Sequence, residues 1–537
     1  MNHGRKLLSR VALVLAVVLI GTVSGAFGAP PQPRVGGSWT SVFAGDPVMN
    51  STIALGIPSF WSSAILFDAL TKPDERGRPV PNLAERWEVS SDGKTYTFFL
   101  RKDVKWHDGR PFTADDVKFT LDTIKDPKTN TSLRGNFGPV ERVDVVNAST
   151  VRFTLSRPYV TLLSWLYTYA GIVPKHILEG KDVNTYTDFS KKTPIGTGPF
   201  KIREYRPAEY LMLERYDAYH GSKSYLDRVI WKIIPDVNAA VAQLRAGGLD
   251  FISNIPPTAV RPLQQDRNLE VLFVDAARYD FVALNLNMPM FQDKKLRQAL
   301  AHALNRQALL NVGTEGFGVL AHGPIGPAHG DWYNRRLRPL PYDTARGAAL
   351  LAEAGWQDTD NDGIVEKNLG DGRRTPLRFK LLHFAARQDH ESMAAIIKEN
   401  WRQIGVDVVL DPTEFAAVQQ NIIRRGYEGL LNSWNTLHDP DLYTYFHSST
   451  AMAGPNYAVW RNADADRLLE QGQSEGNVAR RREIYNKFQE LVRDEQPMIF
   501  TFHPKELNAR SRKVQGLMRA PYGRINSYWM HKVWMAP

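Results

Sequence analysis

The chain runs for 537 residues without one cysteine. No disulfide can staple it, no thiolate can hold zinc or an iron–sulfur cluster, and no thiol can serve as a nucleophile. Whatever it folds into is held without covalent cross-links between cysteines. The composition supplies that surface: 43% of the residues are hydrophobic and 23% charged, which excludes disordered and fibrous classes. At about 100–200 residues per domain, a chain of this length is expected to form two to four domains.

The N-terminus reads differently from the rest. Residues 1–10 (MNHGRKLLSR) carry three cations and no acid, residues 11–20 (VALVLAVVLI) are wholly apolar, and GTVSGAFGAPPQPR follows, rich in small residues. This is the three-part layout of a secretory signal peptide. The apolar core is shorter than the ~20 residues a stable membrane helix needs. Residues 1–28 are therefore expected to be a signal peptide, cleaved after Ala26 or Gly28. No twin-arginine pair is present, and no cysteine stands where a lipid anchor would need one, so the product is expected to be soluble and periplasmic. The formal charge is +10, but Lys and Arg are scattered among acids, and the pairs Arg335–Arg336, Arg373–Arg374 and Arg424–Arg425 are isolated. A nucleic-acid partner would need a concentrated basic face, and none is expected.

The mature chain alternates strands and helices, which predicts an α/β fold. Short β-branched or aromatic runs mark strands at 96–100, 151–155, 229–234, 281–287, 377–384 and 406–410. Asp293 and Asp343 stand as N-caps before apolar residues at helical spacing, the first predicting one helix through KKLRQALAHALNRQALL. Residues 479–494 form another amphipathic helix, stopped by Pro497. No repeat and no Ser/Gly-rich linker divides the chain, so the domains are expected to interleave.

Catalytic patterns are absent from the sequence. There is no GxSxG elbow, no GxxxxGK[ST] loop, and His390-Glu391 lacks the second histidine of a zinc helix. GTGPF (196–200) reads as a tight turn entering a strand. Asp115 and Asp116 follow Thr113 and read as helix-capping acids. The chain is expected to be a binder and not an enzyme. One hard-cation pattern stands out: Asp358, Asp360 and Asp362 occupy positions 1, 3 and 5 of a loop with Gly363 at 6, Ile364 at 7 and Glu366 at 9. Leu369 replaces the bidentate acid at position 12. The loop is a candidate for structural Ca²⁺, with a plain surface turn as the alternative; no other cofactor is expected.

Four stretches, PNLAERWEVSSDGKTYTFFLRKDVKWHDGRPFTADDVKFTLD (81–122), TPIGTGPFKIREY (193–205), LNLNMPMFQDKKLRQALAHALNR (284–306) and GPNYAVWRNADADRLL (454–469), resemble the solute-binding proteins of peptide-type ABC importers, the dipeptide/oligopeptide-binding family 5 (periplasmic binding protein cluster C). The resemblance spans essentially the whole mature chain. It implies a two-lobed periplasmic-binding-protein fold of type II with an extra subdomain on the first lobe. Lobe I would comprise 35–70, 190–282 and 500–537, the subdomain 71–189, and lobe II 283–499, with two hinge crossings near 279–283 and 497–502. It implies a monomeric binder that takes a short peptide or similar small polar solute and delivers it to a membrane permease and its ATPase. An oligosaccharide, an opine-like solute, or an exported hydrolase are the alternatives. His107 and Asp108 of KWHDG read as turn and packing residues.

The cleft is expected to be lined from both lobes. The segment 432–441 resembles the family's ligand loop and contributes Trp434, Asn435, Thr436 and His438. In peptide binders an Asp shortly after this Trp holds the ammonium; here Leu437 stands near that place, and Asp439 before Pro440 reads as a turn residue. Arg387 resembles the position where dipeptide binders hold a carboxylate, a task suited to a guanidinium fork. Thirteen Trp and twenty Tyr supply flat surfaces for stacking. Phe43, Phe60, Trp61 and Tyr457 are the further aromatic candidates, with Asn456 as a neutral hydrogen-bonding group.

Overall fold

A computed structural model describes residues 32–53, 56–169, 171–370, 372–436, 439–452, 454–518 and 527–537. The expected signal peptide, Leu437 and His438 lie outside the described residues. The fold is α/β and two-lobed.

In the first lobe a four-stranded sheet runs in the order Ser38–Phe43, Arg228–Ile233, Tyr210–Arg215, Phe200–Arg206. The alternation SWTSVF turns Trp39, Ser41 and Phe43 inward, as the two-residue period of a strand requires. Trp39 meets the edge of Trp231 at 6.2 Å, and Phe43 stacks on the same indole at 4.7 Å. A second four-stranded sheet, Ala84–Val89, Thr95–Leu100, Thr150–Leu155 and Val140–Asn147, is antiparallel throughout. The helix Ala114–Lys125 covers it with Val117, Leu121 and Ile124. Asp116 accepts from the Thr113 amide at 2.9 Å and from the Lys175 amide at 3.0 Å, so it caps as the sequence indicates, while Asp115 lies 3.6 Å from the Lys175 ammonium.

Two of the family-like stretches are mortised together. His107 of KWHDG accepts the Gly196 amide at Nδ1 (3.1 Å) and donates from Nε2 to the Gly198 carbonyl (3.0 Å). The His107 amide also donates to the Gly196 carbonyl at 2.9 Å. Both glycines ride against the end of the helix Gly56–Leu66: a Cβ at Gly196 would sit 1.7 Å from the Leu66 carbonyl oxygen, and one at Gly198 2.0 Å from that of Ile65. GTGPF is thus a turn pressed onto a helix end, and His107 is a structural residue.

Among the described residues the largest sheet has eight strands. Arg278–Leu284 pairs with Gly429–Asn435 on one side and Met498–Ser511 on the other. Beyond Gly429–Asn435 lie Arg378–Phe384 and Asp407–Thr413. The distal half of Met498–Ser511 pairs with Phe251–Ile252 and Leu269–Asp275. The chain therefore passes between lobes on two antiparallel strands that bond to each other. Their register slips by one residue at the crossing, Asp280 facing Phe502 and Phe281 facing Phe500, a bulge that bends the ribbon.

Two expected elements differ. The helix after Asp293 is two helices, Lys294–His302 and Arg306–Thr314. Asn305 breaks it: its Oδ1 accepts the Ala308 amide at 3.0 Å, an N-cap in place of an interior turn. Buried Arg306 locks the break by donating to the carbonyls of Ala301, Leu340 and Phe500. The strand expected over 281–287 ends at Leu284, because Asn285 turns to donate to the Arg425 and Tyr427 carbonyls.

Burial holds His107, His322 and His503 each down to about 4. In the unfolded chain they titrate near 6.5, so below that pH the unfolded state binds more protons. Their contribution is fully present above pH 6.5 and is lost as pH falls toward 4. Thermal unfolding followed by circular dichroism is expected to show a midpoint that declines steadily from pH 6.5 to 4.5, with little change between 7 and 8.

Candidate ligand-binding site

A cavity of about 1310 Å³ lies between the lobes. Phe60, Asp68, Trp165 and Tyr169 form part of one wall; Phe384, Arg387, Phe415, Trp434, Tyr445 and Tyr457 face it from the other. Trp165 stacks on Tyr169 at 5.7 Å. Trp434 packs between Tyr445 (5.3 Å) and Tyr457 (5.4 Å). Burial, then the neighbouring Tyr169, raises the Tyr445 phenol above its usual range, so it stays neutral. Aromatic rings and side-chain amides form a large part of the walls, with Asp68, Lys72, Arg157, Arg387 and Asp441 among them.

Arg387 is placed by the backbone. Ala386 takes a left-handed φ of 59° and turns the chain from the strand Arg378–Phe384 into the helix Gln388–Arg402. The Arg387 Nε donates to Asp389 Oδ1 at 3.1 Å and Nη2 to Oδ2. Burial would raise the Asp389 carboxyl, but the guanidinium outweighs it and the group sits below its ordinary value. Burial, then the Arg387 charge, drives His390 down to about 3. Behind this pair, on the crossing strand, Arg278 donates to the fully buried Asp280 at 2.7 Å. Two cations and two carboxylates thus balance at this corner.

At the other end the lobes touch directly. Thr161 Oγ1 donates to Asp441 Oδ2 at 3.0 Å, and Ser164 Oγ to Asp439 Oδ2 at 3.3 Å. The Val160 amide donates to the Gln473 carbonyl at 2.9 Å, and Arg157 to the Gln473 side chain. Gln473 Nε2 in turn donates to both oxygens of Asp441, at 3.0 and 2.8 Å, while Arg481 grips Asp439 at 2.9 and 2.6 Å. Burial first, then Asp439, pushes the Asp441 carboxyl up.

The residues singled out in the sequence divide. Phe60, Arg387, Trp434, Asn435 and Tyr457 line the cavity. Phe43 and Trp61 do not: the strand alternation buries Phe43 against Trp231, and Trp61 is 7% exposed and stacked on Phe251 at 6.4 Å. Asn456 is fully buried and staples its own turn, accepting the Trp460 amide at 3.0 Å and donating to its carbonyl at 2.9 Å. Thr436 is buried too, its amide bonded to the Ala277 carbonyl at 2.7 Å, and it stands outside the cavity wall. In the acidic loop, Asp358, Asp360 and Glu366 bring carboxylate oxygens within 4.8 Å of one another. Asp362 leaves this group and caps the Ile364 amide at 2.8 Å. Glu366 accepts the Thr359 amide at 2.9 Å and lies 3.6 Å from Arg374, so the carboxylates are partly spent on the loop itself. Ile364 offers only its backbone carbonyl, the ligand that position 7 of such a loop supplies.

Residues 78–456 match the family model of the bacterial extracellular solute-binding proteins, family 5. The chain belongs to that family. It is 31% identical over 541 residues to the oligopeptide-binding protein AppA of Bacillus subtilis, covering 98% of both chains. It is 28% identical to the dipeptide-binding protein of Escherichia coli, covering 83% of this chain and 84% of that one. The structure of the Bacillus subtilis AppA in complex with a nonapeptide superposes with a TM-score of 0.78 at 30% identity, covering 94% of this chain and all of that one.

In this family-5 chain the contacts between Thr161, Asp441 and Gln473 escaped the sequence, since Thr161 and Asp441 are 280 residues apart. Only the proximity of Asp439 and Asp441 hinted that this loop holds more charge than a turn needs. Removing the Gln473 side chain takes away the Nε2 donor to both oxygens of the buried Asp441, leaving it Thr161 and the Tyr443 amide, at a cost of about 1–3 kcal/mol. Gln473→Ala is expected to shift the protein toward an open form, with a larger radius of gyration in small-angle scattering without ligand and a ligand affinity reduced about three- to tenfold.

Proposed function

We propose that the protein captures a short peptide in the interlobe cavity and delivers it, chemically intact, to an ABC importer. The carrying observation is the cavity: at about 1310 Å³ it exceeds the ~300–1,000 Å³ of common small-molecule pockets, and aromatic rings line it from both sides. The nonapeptide named for the AppA structure agrees with a guest of several residues. Of the charged groups on the walls, Arg387 is held by Asp389, Arg157 by Gln473, and Asp441 by Gln473 and Thr161, while Asp68 and Lys72 also line the cavity and Asp68 Oδ2 accepts no hydrogen bond among the described residues. The guest is read chiefly through its backbone and its apolar surface.

The two bodies that close on it are 35–70 with 190–282 and 500–537, joined by the subdomain 71–189, against 283–499. Only the closed form contacts the guest on both sides, so binding favours closure. Residues 1–28 direct export and are removed, and the mature protein works in the periplasm, as a monomer, with a permease and ATPase as partners. No nucleic acid takes part.

The test is a thermal-shift screen of tri- to hexapeptides beside oligosaccharides and opines, followed by calorimetry. A peptide at 100 times its Kd is expected to stabilise the protein by ~2.7 kcal/mol and to be recovered intact by mass spectrometry. Trp434→Ala is expected to weaken the best peptide more than tenfold. Unchanged affinity would remove Trp434 from the site, and a hydrolysed guest would sink the transport reading.

A further inference from the structure

One corner of the cavity carries a more specific chemistry. The helix Phe415–Arg424 packs onto the second lobe through Val418 and Ile422, both buried. Its first residue, Phe415, is not needed for that contact: it is 65% exposed. Among the described residues, it is the only exposed large hydrophobic side chain that also lines the cavity. Gln419, one turn on, lines the cavity as well. Phe415 stacks on Phe384, with centroids 5.6 Å apart and planes inclined by 21°. Phe384 is itself buried, and the Arg387 guanidinium lies 5.9 Å from its ring centre. The ladder Arg387–Phe384–Phe415 therefore offers an open ring face at the cavity rim.

The surrounding charges do not compete for that face. The Nε and Nη2 of Arg387 are held by Asp389, Gln419 is neutral, and the nearby His390 is buried against Phe384 at 5.3 Å. A solvent-facing phenyl gains by being covered with apolar surface, and an offset-stacked ring is the partner that best extends an aromatic pair. A small or charged side chain would leave it wet.

We infer that Phe415, backed by Phe384, is a specificity-determining residue that selects guests carrying an aromatic or large apolar side chain. This rests on the peptide reading above and goes beyond it, since it states which peptides are preferred.

The experiment is isothermal titration of the full mature chain with four tetrapeptides: Ala-Ala-Ala-Phe, Phe-Ala-Ala-Ala, Ala-Ala-Ala-Ser and tetra-alanine. Each is measured on wild type, Phe415→Ala and Phe415→Leu. The tighter of the two Phe-bearing peptides is expected to bind wild type at least tenfold more strongly than tetra-alanine. That advantage is expected to fall below threefold in Phe415→Ala and to survive in part in Phe415→Leu, while tetra-alanine binds all three proteins alike. Thermal melts check that the variants stay folded, as an exposed first-turn residue allows. Equal affinities on wild type would overturn this inference and leave the peptide reading standing. A preference that persists in Phe415→Ala would overturn the assignment to this residue. If no peptide binds wild type, both readings fall together.

Discussion

The structure depends on two neighbouring antiparallel strands, Arg278–Leu284 and Met498–Ser511, which carry the chain from one lobe to the other while bonded to each other. A single covalent crossing would let the lobes tumble. Two crossings side by side, with a bulge where they pass, confine the motion to bending about one line. The same ribbon is the centre of the largest sheet, so the lobes share a backbone of hydrogen bonds as well as a hinge. Asp280, buried at the bulge and held by Arg278, marks the place. A buried ion pair adds little net stability, but breaking it by removing one partner is expensive, and this discourages other arrangements of the crossing.

From that hinge the cavity follows. Its two walls come from cores that are separate in space, one around Phe98, Phe153 and Trp165, the other around Phe281, Phe446 and Phe500. Most rings of each wall are anchored in a core, Phe415 being the exposed exception. The polar bridges at the far end, from Thr161 and Ser164 to Asp441 and Asp439, are the complementary feature. They are few and partly charged, so they can open without dismantling either core. A binding protein needs both: walls that keep their shape, and a contact between them weak enough to yield.

Much of the fold was legible because its causes are local. The alternation of SWTSVF, the caps at Asp343 and Asp116, and the stop before Pro497 each depend on residues within a few positions of one another. The family-like stretches extended this to topology, and the structure explains why they read as a signature: KWHDG and GTGPF bind each other and a helix end, so their residues are constrained by backbone contact. The expectations that failed were of another kind. Asn305 lay inside a helical pattern and was overruled by its side chain's own bond to Ala308. Phe43 and Trp61 were aromatic residues near a cleft, and hydrophobicity alone cannot tell a core ring from a cleft ring. Asn456 is polar and buried, satisfied by its own turn.

The sequence by itself determined the α/β class, the family, the caps and turns, and the absence of any disulfide or thiol chemistry, since all of these follow from residue type and short-range spacing. The tertiary structure alone decided which rings face the cavity, which carboxylates are already engaged, and that Phe415 is left with an open face. Most of those properties arise between residues tens to hundreds of positions apart, and burial is a property of the assembled lobes that no local pattern encodes.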